Sequence, residues 1–282
     1  MADLSLTRLT VAELARRIKA HDLSPVDVAE AFIERTEALE PQLNAWITVV
    51  PDHARASAKQ AEAEIAAGVY KGPLHGIPVG LKDLFWTKGV RTTSGSRVTA
   101  DFVPTEDATV VANLQEAGAY YLGKTNMVEY AYGGAEHNDA YGPPKNPWGL
   151  SHLTGGSSSG SGAAVAAGSV PIALGSDTAG SVRAPASLNG LTGHKPTYGL
   201  VSRFGVTPLS WSMDNVGPLA RTAEDVAISM NVLAGHDPRD GASARHAKED
   251  YVAALRNDLA GVRIGVLQDD YIWDVVVPEV KT

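Results

Sequence analysis

Short apolar runs alternate with helical segments from residue 72 onward, and this alternation is the strongest constraint on the fold. Runs of β-branched and other apolar residues predict buried strands at 77–81, 119–122, 170–174 and 262–267. Helical stretches are predicted at 108–117, 163–167 and 222–233. Strands and helices that alternate in this way pack as helices against a shared sheet. The sequence therefore predicts an α/β fold with a central mixed β-sheet flanked by helices.

The first 70 residues differ, because three helical segments follow one another there without an obvious catalytic grouping. Apolar residues recur at helical spacing between Thr10 and Ala20. Ser24 is a suitable cap and Pro25 suits a first helical position, so a second helix is expected from there to about Leu39. An alanine-rich stretch predicts a third helix at 54–67. We expect a helical N-terminal segment (1–70) packed on a core (71–282), within one structural domain.

Composition excludes several classes of function. The 282-residue chain has 24 Lys and Arg against 32 Asp and Glu, a net charge of −8, which argues against nucleic-acid binding. It has no cysteine, which excludes a thiol nucleophile and fits a cytoplasmic protein. No apolar run approaches the roughly 20 residues of a membrane span. The sequence stops soon after the strand predicted at 262–267, so we expect a chain truncated at its C-terminal end.

Two segments rich in glycine and serine carry the most specific chemical signal. They are GGSSSGSG (155–162) and GSDTAGSVR (175–183), and the strand predicted at 170–174 leads directly into the second. Small residues permit a tight turn whose backbone N–H groups converge near a serine, which is the geometry of an oxyanion hole. A flexible linker is disfavoured, because a helix and a strand follow at once. A phosphate-binding loop is rejected, because Ser161 stands where that motif requires lysine.

A nucleophilic serine needs a base, and the residues leave the choice open. The eight histidines are scattered and form no recognisable triad signature. Lys82 follows the strand predicted at 77–81, so burial would remove its hydration and lower its pKa towards neutrality. In the alternative, Lys82 pairs with a carboxylate such as the adjacent Asp83 and stays cationic. The residues alone support both interpretations of Lys82 equally.

Three segments resemble the amidase signature family: GIPVGLKD (76–83), GGSSSGS (155–161) and GSDTAGSVRAPA (175–186). Ser157 follows Lys82 by 75 residues and Ser181 follows Ser157 by 24, which is similar to the family's catalytic spacing. The resemblance extends over about residues 74–227 and includes GKTNMVEYA and GHKPTYGLVSRFGV. Because several motifs occur in order along the chain, the resemblance to the family is highly specific.

The resemblance implies that Ser181 is a nucleophile, that Ser157 is a bridging serine after a cis peptide bond, and that Lys82 is the base. It implies that backbone N–H groups hold the oxyanion, namely those of Thr178, Ala179, Gly180 and Ser181. Ala179 stands where glycine is common in the family, but its methyl group leaves the N–H intact. The resemblance implies neither a metal nor an organic cofactor.

Five further residues are expected to support the site or contact substrate: Asn126, Met127, Ser158, Asp177 and Arg183. Asp177 is expected to support the serine loop through hydrogen bonds. For Arg183, an ordinary ion pair is favoured over direct substrate contact. Asn126 and Met127 are expected to line the pocket.

The resemblance implies an amidohydrolase that cleaves a small or medium carboxylic amide through an acyl-Ser181 intermediate. Its partner would be a small-molecule amide, and a homodimer is expected because dimers are common among relatives. The first alternative is the glutaminase subunit of a tRNA-dependent amidotransferase. In that subunit glutamine commonly follows the motif arginine, whereas Ala184 follows Arg183 here, which favours the hydrolase. The second alternative is a catalytically incomplete fragment.

Overall fold

A mixed sheet lies at the centre of the residues that the computed structural model describes, which are 2–133, 138–256, 258–265, 274 and 276. Within them, six strands form this sheet: β1 (Trp46–Val49), β2 (Pro78–Lys82), β3 (Tyr120–Thr125), β4 (Ile172–Asp177), β5 (Thr192–Gly193) and β6 (Asn215–Ala220). Their spatial order is β1-β3-β2-β4-β6-β5. Strand β2 is parallel to β3 and β4, and the other neighbours are antiparallel. The predicted central mixed sheet is confirmed.

Helices flank this sheet in the order α1 (Val11–Lys19), α2 (Pro25–Leu43), α3 (Pro51–Ala66), α4 (Thr109–Glu116), α5 (Ser159–Ala166), α6 (Arg183–Leu188) and α7 (Ala223–Leu233). Two short 3-10 turns, Leu4–Arg8 and Glu129–Ala131, accompany them. Helix α5 is buried from Ser159 to Val165 and packs against β2, β3 and β4. In the described part of the chain, no helix combines the length and apolarity needed to cross a bilayer.

Side-chain caps start the first two helices, and the one at Ser24 was predicted from the sequence. Thr10 and Glu13 form a capping box at the start of α1, which satisfies backbone N–H groups that have no partner inside the helix. Ser24 caps α2 by accepting hydrogen bonds from the next backbone N–H groups. Helix α2 continues to Leu43, beyond the end expected near Leu39.

Three strands were not predicted, because each lacks a clear strand signal. Strand β1 has four residues and lies within the segment expected to be helical, while β5 has only two. Strand β6 contains Gly217 and Pro218, which are unfavourable inside strands, yet it pairs with β4 along its whole length. The strand predicted at 262–267 does not form at 262–265, and residues 266 and 267 lie outside the described residues.

The centre of the sheet brings two strand ends together at one edge. Val79 on β2 and Ile172 on β4 pair directly, and both side chains are buried. Because β2 and β4 are parallel, their carboxyl ends lie at the same edge of the sheet. Those ends are Lys82 and Asp177, which is how the fold gathers the residues of the site described below.

We expect Gly160→Ala to destabilise the fold, although alanine normally favours a helix. A Cβ at position 160 would lie 2.3 Å from the carbonyl oxygen of Ala45 and 2.5 Å from the backbone nitrogen of Asn126. Backbone atoms cannot move aside easily, so we expect a loss of about 1–3 kcal/mol in the free energy of unfolding. Urea denaturation measures it. Gly235→Ala is the matched control, because nothing lies within 4 Å of that Cβ. Equal stability of the two variants would contradict the prediction.

Candidate active site

Lys82 ends β2 with a fully buried side chain that lies between two serine hydroxyls. Its Nζ is 2.7 Å from Ser157 Oγ and 2.9 Å from Ser176 Oγ. It forms no ion pair with any carboxylate in the described residues. Burial lowers the pKa of Lys82 to about 7, against the smaller opposing effect of Asp177 and Asp214. A substantial fraction of this lysine is therefore neutral at neutral pH.

Asp83, the carboxylate next to Lys82 in sequence, is engaged elsewhere. Its Oδ2 accepts hydrogen bonds from the backbone N–H and the hydroxyl of Thr93. Its Oδ1 lies 3.8 Å from Nζ of Lys124, a second buried lysine on the neighbouring strand β3. Of the two interpretations that the sequence left open, this geometry favours a buried, unpaired Lys82 over a lysine paired with Asp83.

Ser157 and Ser158 are held at the start of α5. The peptide bond between Gly156 and Ser157 is cis, as the resemblance implies. Ser158 Oγ donates to the carbonyl oxygen of Ser176 at 3.2 Å, which ties the helix start to β4. The N–H of Ser158 donates to the carbonyl oxygen of Ser181, also at 3.2 Å. This backbone hydrogen bond places the Ser181 segment alongside Ser157 and Ser158.

Asp177 organises the loop that follows β4. Its buried carboxylate accepts hydrogen bonds from the N–H groups of Gly180 (2.7 Å), Val182 (3.2 Å) and Arg183 (3.3 Å). The guanidinium of Arg183 pairs with the same carboxylate at 3.0 Å. Burial acts to raise the pKa of Asp177, but these hydrogen bonds together hold it below its usual value. The contacts are those of a loop-supporting aspartate and of an arginine engaged in an ion pair.

Ser181 lies at the end of this loop and is half-buried. Its Oγ has no hydrogen-bond partner among the described residues. The backbone N–H groups of Thr178, Ala179 and Ser181 also lack an acceptor within that part of the chain. Gly180 was expected to be a fourth donor. In this structure its N–H donates to Asp177 Oδ1 at 2.7 Å.

Two residues at this edge were missed by the sequence analysis. Ser176 contacts Lys82, and its place near the carboxyl end of β4, within the GSDTAGSVR segment, is the signal that could have identified it. Asp214 accepts a 2.6 Å hydrogen bond from the hydroxyl of Thr178 and further bonds from the N–H groups of Ser210 and Leu209. Asp214 immediately precedes β6, a strand that was itself not predicted, so its proximity could not be anticipated.

Asn126 and Met127 were expected to line the pocket, but both are fully buried. The amide nitrogen of Asn126 donates to the carbonyl oxygens of Asn44 and Gly142 at 3.0 Å. Its amide oxygen accepts hydrogen bonds from the N–H of Met127 and from the side chain of Asn138. With its hydrogen-bonding capacity used in this way, Asn126 joins three chain segments, which favours a structural role over substrate contact.

Histidine does not take part in the described site. No described histidine hydrogen-bonds to Lys82, Ser157 or Ser181. His75 precedes β2 at the opposite edge of the sheet, where its Nε2 lies 3.0 Å from Glu64. Within the described residues, no group of three or more His, Cys, Asp or Glu side chains is placed to hold a metal ion.

Comparison with known proteins assigns the chain to a family. The sequence profile described as Amidase matches residues 27–282, which is most of the chain. The chain belongs to the amidase family. A glutamyl-tRNA(Gln) amidotransferase subunit of Carboxydothermus hydrogenoformans is 45% identical over 278 residues, covering 99% of this chain and 57% of that protein. The chain thus spans little more than half the length of this relative.

Solved structures superpose well on the chain, and one of them is a peptide amidase. The native peptide amidase of Stenotrophomonas maltophilia matches with a TM-score of 0.84 and 37% identity, over 89% of this chain and 53% of that one. A chain from a vestigial protein complex that reveals the origins of an s-triazine catabolic enzyme matches with a TM-score of 0.90 and 40% identity. That match covers 93% of this chain and 57% of the other. The amidase fold described above is therefore shared with enzymes of known structure.

We expect the buried Lys82 to destabilise the native state less as pH rises. Its pKa of about 7 lies below the ordinary 10.5, so between these values the unfolded chain binds one more proton than the native protein. The free energy of unfolding therefore rises with pH across this window, by up to about 5 kcal/mol. Lys82→Met removes this dependence, which urea denaturation at about pH 6.5 and 9.5 measures.

Lys59→Met, at an exposed position of α3, is the control and should keep the pH dependence of the wild type. Lys124 is present in all three proteins, so its own titration cancels from the comparison. Parallel stability curves for wild type and Lys82→Met would show that Lys82 is not the buried neutral amine described here.

Proposed function

We propose that this chain carries the catalytic centre of an amidohydrolase, in which Ser181 attacks the carbonyl carbon of a carboxylic amide. The observation that carries the proposal is Lys82: a buried amine with a pKa of about 7, placed 2.7 Å from Ser157 Oγ. A base with a pKa near the working pH is suited to proton transfer. Membership of the amidase family supports the same assignment.

In the proposed acylation, neutral Lys82 takes the hydroxyl proton of Ser157, and Ser157 takes that of Ser181. Ser181 Oγ then bonds to the amide carbon. The residue after Ser157 is tied to Ser181 by the hydrogen bond from Ser158 N–H to the carbonyl oxygen of Ser181. Catalytic hydrogen bonds often form fully only in the complex with substrate, which is when Ser181 and Ser157 hydroxyls are expected to meet. The proton returns through Ser157 to the leaving nitrogen as the C–N bond breaks, and water then hydrolyses the acyl-Ser181 ester.

The proposed oxyanion site consists of the N–H groups of Thr178, Ala179 and Ser181. Each donor of this kind contributes on the order of 3 kcal/mol to stabilising the tetrahedral intermediate. Asp177 supports them indirectly, because its bonds to Gly180 and Arg183 fix the loop from within. A loop fixed before the reaction needs no reorganisation when negative charge develops on the substrate oxygen.

A second candidate function is the glutaminase step of a tRNA-dependent amidotransferase. It is supported by the 45% identity to a protein named as a subunit of glutamyl-tRNA(Gln) amidotransferase. Against it stands Ala184, because glutamine commonly follows the motif arginine in that subunit. Both candidates share the chemistry proposed for Ser181. They differ in the amide that is cleaved and in the fate of the released ammonia.

Ser181→Ala is expected to lower amide hydrolysis at least about 1,000-fold, because no other group can form the acyl-enzyme. It should also abolish covalent labelling by a fluorophosphonate probe, which intact-protein mass spectrometry measures. Ser187→Ala, an exposed serine on α6, is the matched control and should retain both activities. Undiminished amide hydrolysis by Ser181→Ala would refute the assignment of Ser181 as the nucleophile. An unlabelled wild type would favour a catalytically incomplete centre.

An ammonia-release assay with a panel of primary amides separates the two candidate functions. A free-standing amidohydrolase is expected to release ammonia from small or medium neutral amides without any other protein. The glutaminase candidate predicts release from glutamine alone, and only when partner subunits and tRNA are added. The same panel with Ser181→Ala controls for contaminating amidases.

A further inference from the structure

Three arginines surround one cavity at the opposite end of helix α5 from Ser157. The cavity has a volume of about 570 Å³ and lies between the Leu4–Arg8 turn, the C-terminal end of α5 and the start of the α7 region. Its cationic lining residues are Arg8, Arg35 and Arg221, and its lining contains no acidic residue among those described. The lining is therefore cationic, in a chain whose net charge is −8.

Little of the hydrogen-bonding capacity of these arginines is used within the described chain. A guanidinium carries five N–H donors. Arg35 uses Nε to bond the carbonyl oxygen of Ala167 at 3.0 Å, and Arg221 uses Nη2 to bond that of Thr7 at 2.8 Å. Arg8 makes no side-chain hydrogen bond to a described residue. Arg221 Nε is buried and has no partner in that part of the chain. Most of the guanidinium N–H groups around the cavity therefore have no acceptor within the described residues.

Glu13 and Asp225 are the carboxylates that act on Arg221, and both are engaged in other hydrogen bonds. Glu13 accepts hydrogen bonds from Thr10 in the capping box of α1, and Asp225 Oδ1 accepts one from the N–H of Ala12. Burial lowers the pKa of Arg221, and Asp225 and Glu13 oppose this effect without forming an ion pair with it. If Asp225 were the sole counter-charge of Arg221, Arg8 and Arg35 would still lack one among the described residues.

We propose that this cavity binds a small anion that carries one or more phosphate groups. Planar guanidinium groups match phosphate oxygens with paired N–H donors, and several around one site favour a multiply charged ligand. The overall acidity of the chain argues against an extended polyanion such as nucleic acid, which would be repelled outside the cavity. The site lies at the far end of α5 from Ser157 and is separate from the proposed amide-cleaving centre.

Isothermal titration of the purified protein with pyrophosphate tests the proposal without requiring turnover. We expect saturable binding that Arg8→Gln weakens at least about tenfold. The Arg8 side chain makes no hydrogen bond within the described chain, so this variant should keep its fold. Arg35→Gln should weaken binding similarly, provided that circular dichroism shows a native spectrum. The matched control is Arg245→Gln, which removes the same charge from an exposed position outside the cavity.

Several outcomes would overturn the proposal. Absence of saturable binding up to about 10 mM pyrophosphate would do so. Equal weakening by Arg245→Gln would indicate general electrostatic attraction instead of a site. Tighter binding of citrate than of pyrophosphate would point to a carboxylate ligand. A dimer that Arg8→Gln dissociates, without pyrophosphate binding, would assign the cavity to a protein contact.

Discussion

The burial of one unpaired lysine is the constraint on which the proposed site depends. Lys82 ends the strand at the middle of the sheet, where helix α5 covers it and water cannot reach its amine. Removing an ammonium ion from water costs several kcal/mol unless the group loses its proton or gains a counter-charge. Here the contacts are two hydroxyls, from Ser157 and Ser176, which suit either protonation state because a hydroxyl both donates and accepts.

Lys124, on the strand next to Lys82, is a second buried lysine with different neighbours. Lys124 lies near the end of the adjacent strand β3, is equally buried, and has a pKa lowered to about 8 by burial. It hydrogen-bonds to the hydroxyls of Thr87 and Thr92, and Asp83 lies 3.8 Å away. Its contacts hold the chain that follows β2 in place. The same residue type thus occupies adjacent strands in two settings: Lys124 has a carboxylate 3.8 Å away, whereas the hydrogen bonds of Lys82 within the described residues go to hydroxyls.

Much of the fold could be predicted from the sequence, because the central strands are apolar and the first helices have clear caps. The positions of Lys82 and Ser157 followed from motif resemblance, and their contact in space agrees with it. Strand β6 could not be recognised in the sequence, because Gly217 and Pro218 disfavour a strand. Pairing with β4, which exists only in the folded sheet, offsets this unfavourable propensity. The hydrogen bond from Gly180 N–H to Asp177 was equally hidden, since it depends on the orientation of the Asp177 carboxylate, which local sequence does not encode.

The close packing of α5 has a consequence for how proteins built on this scaffold could acquire new substrates. A Cβ at Gly175 would lie 2.5 Å from Ser158 Oγ, and one at Gly160 would collide with the backbone near Ala45 and Asn126. Ser158, which follows Ser157, therefore lies in tightly packed surroundings, and we expect enlargement of the small residues there to destabilise the fold. Substitutions are tolerated better at residues outside this packed region, so residues around the site can change while the packing of α5 stays the same.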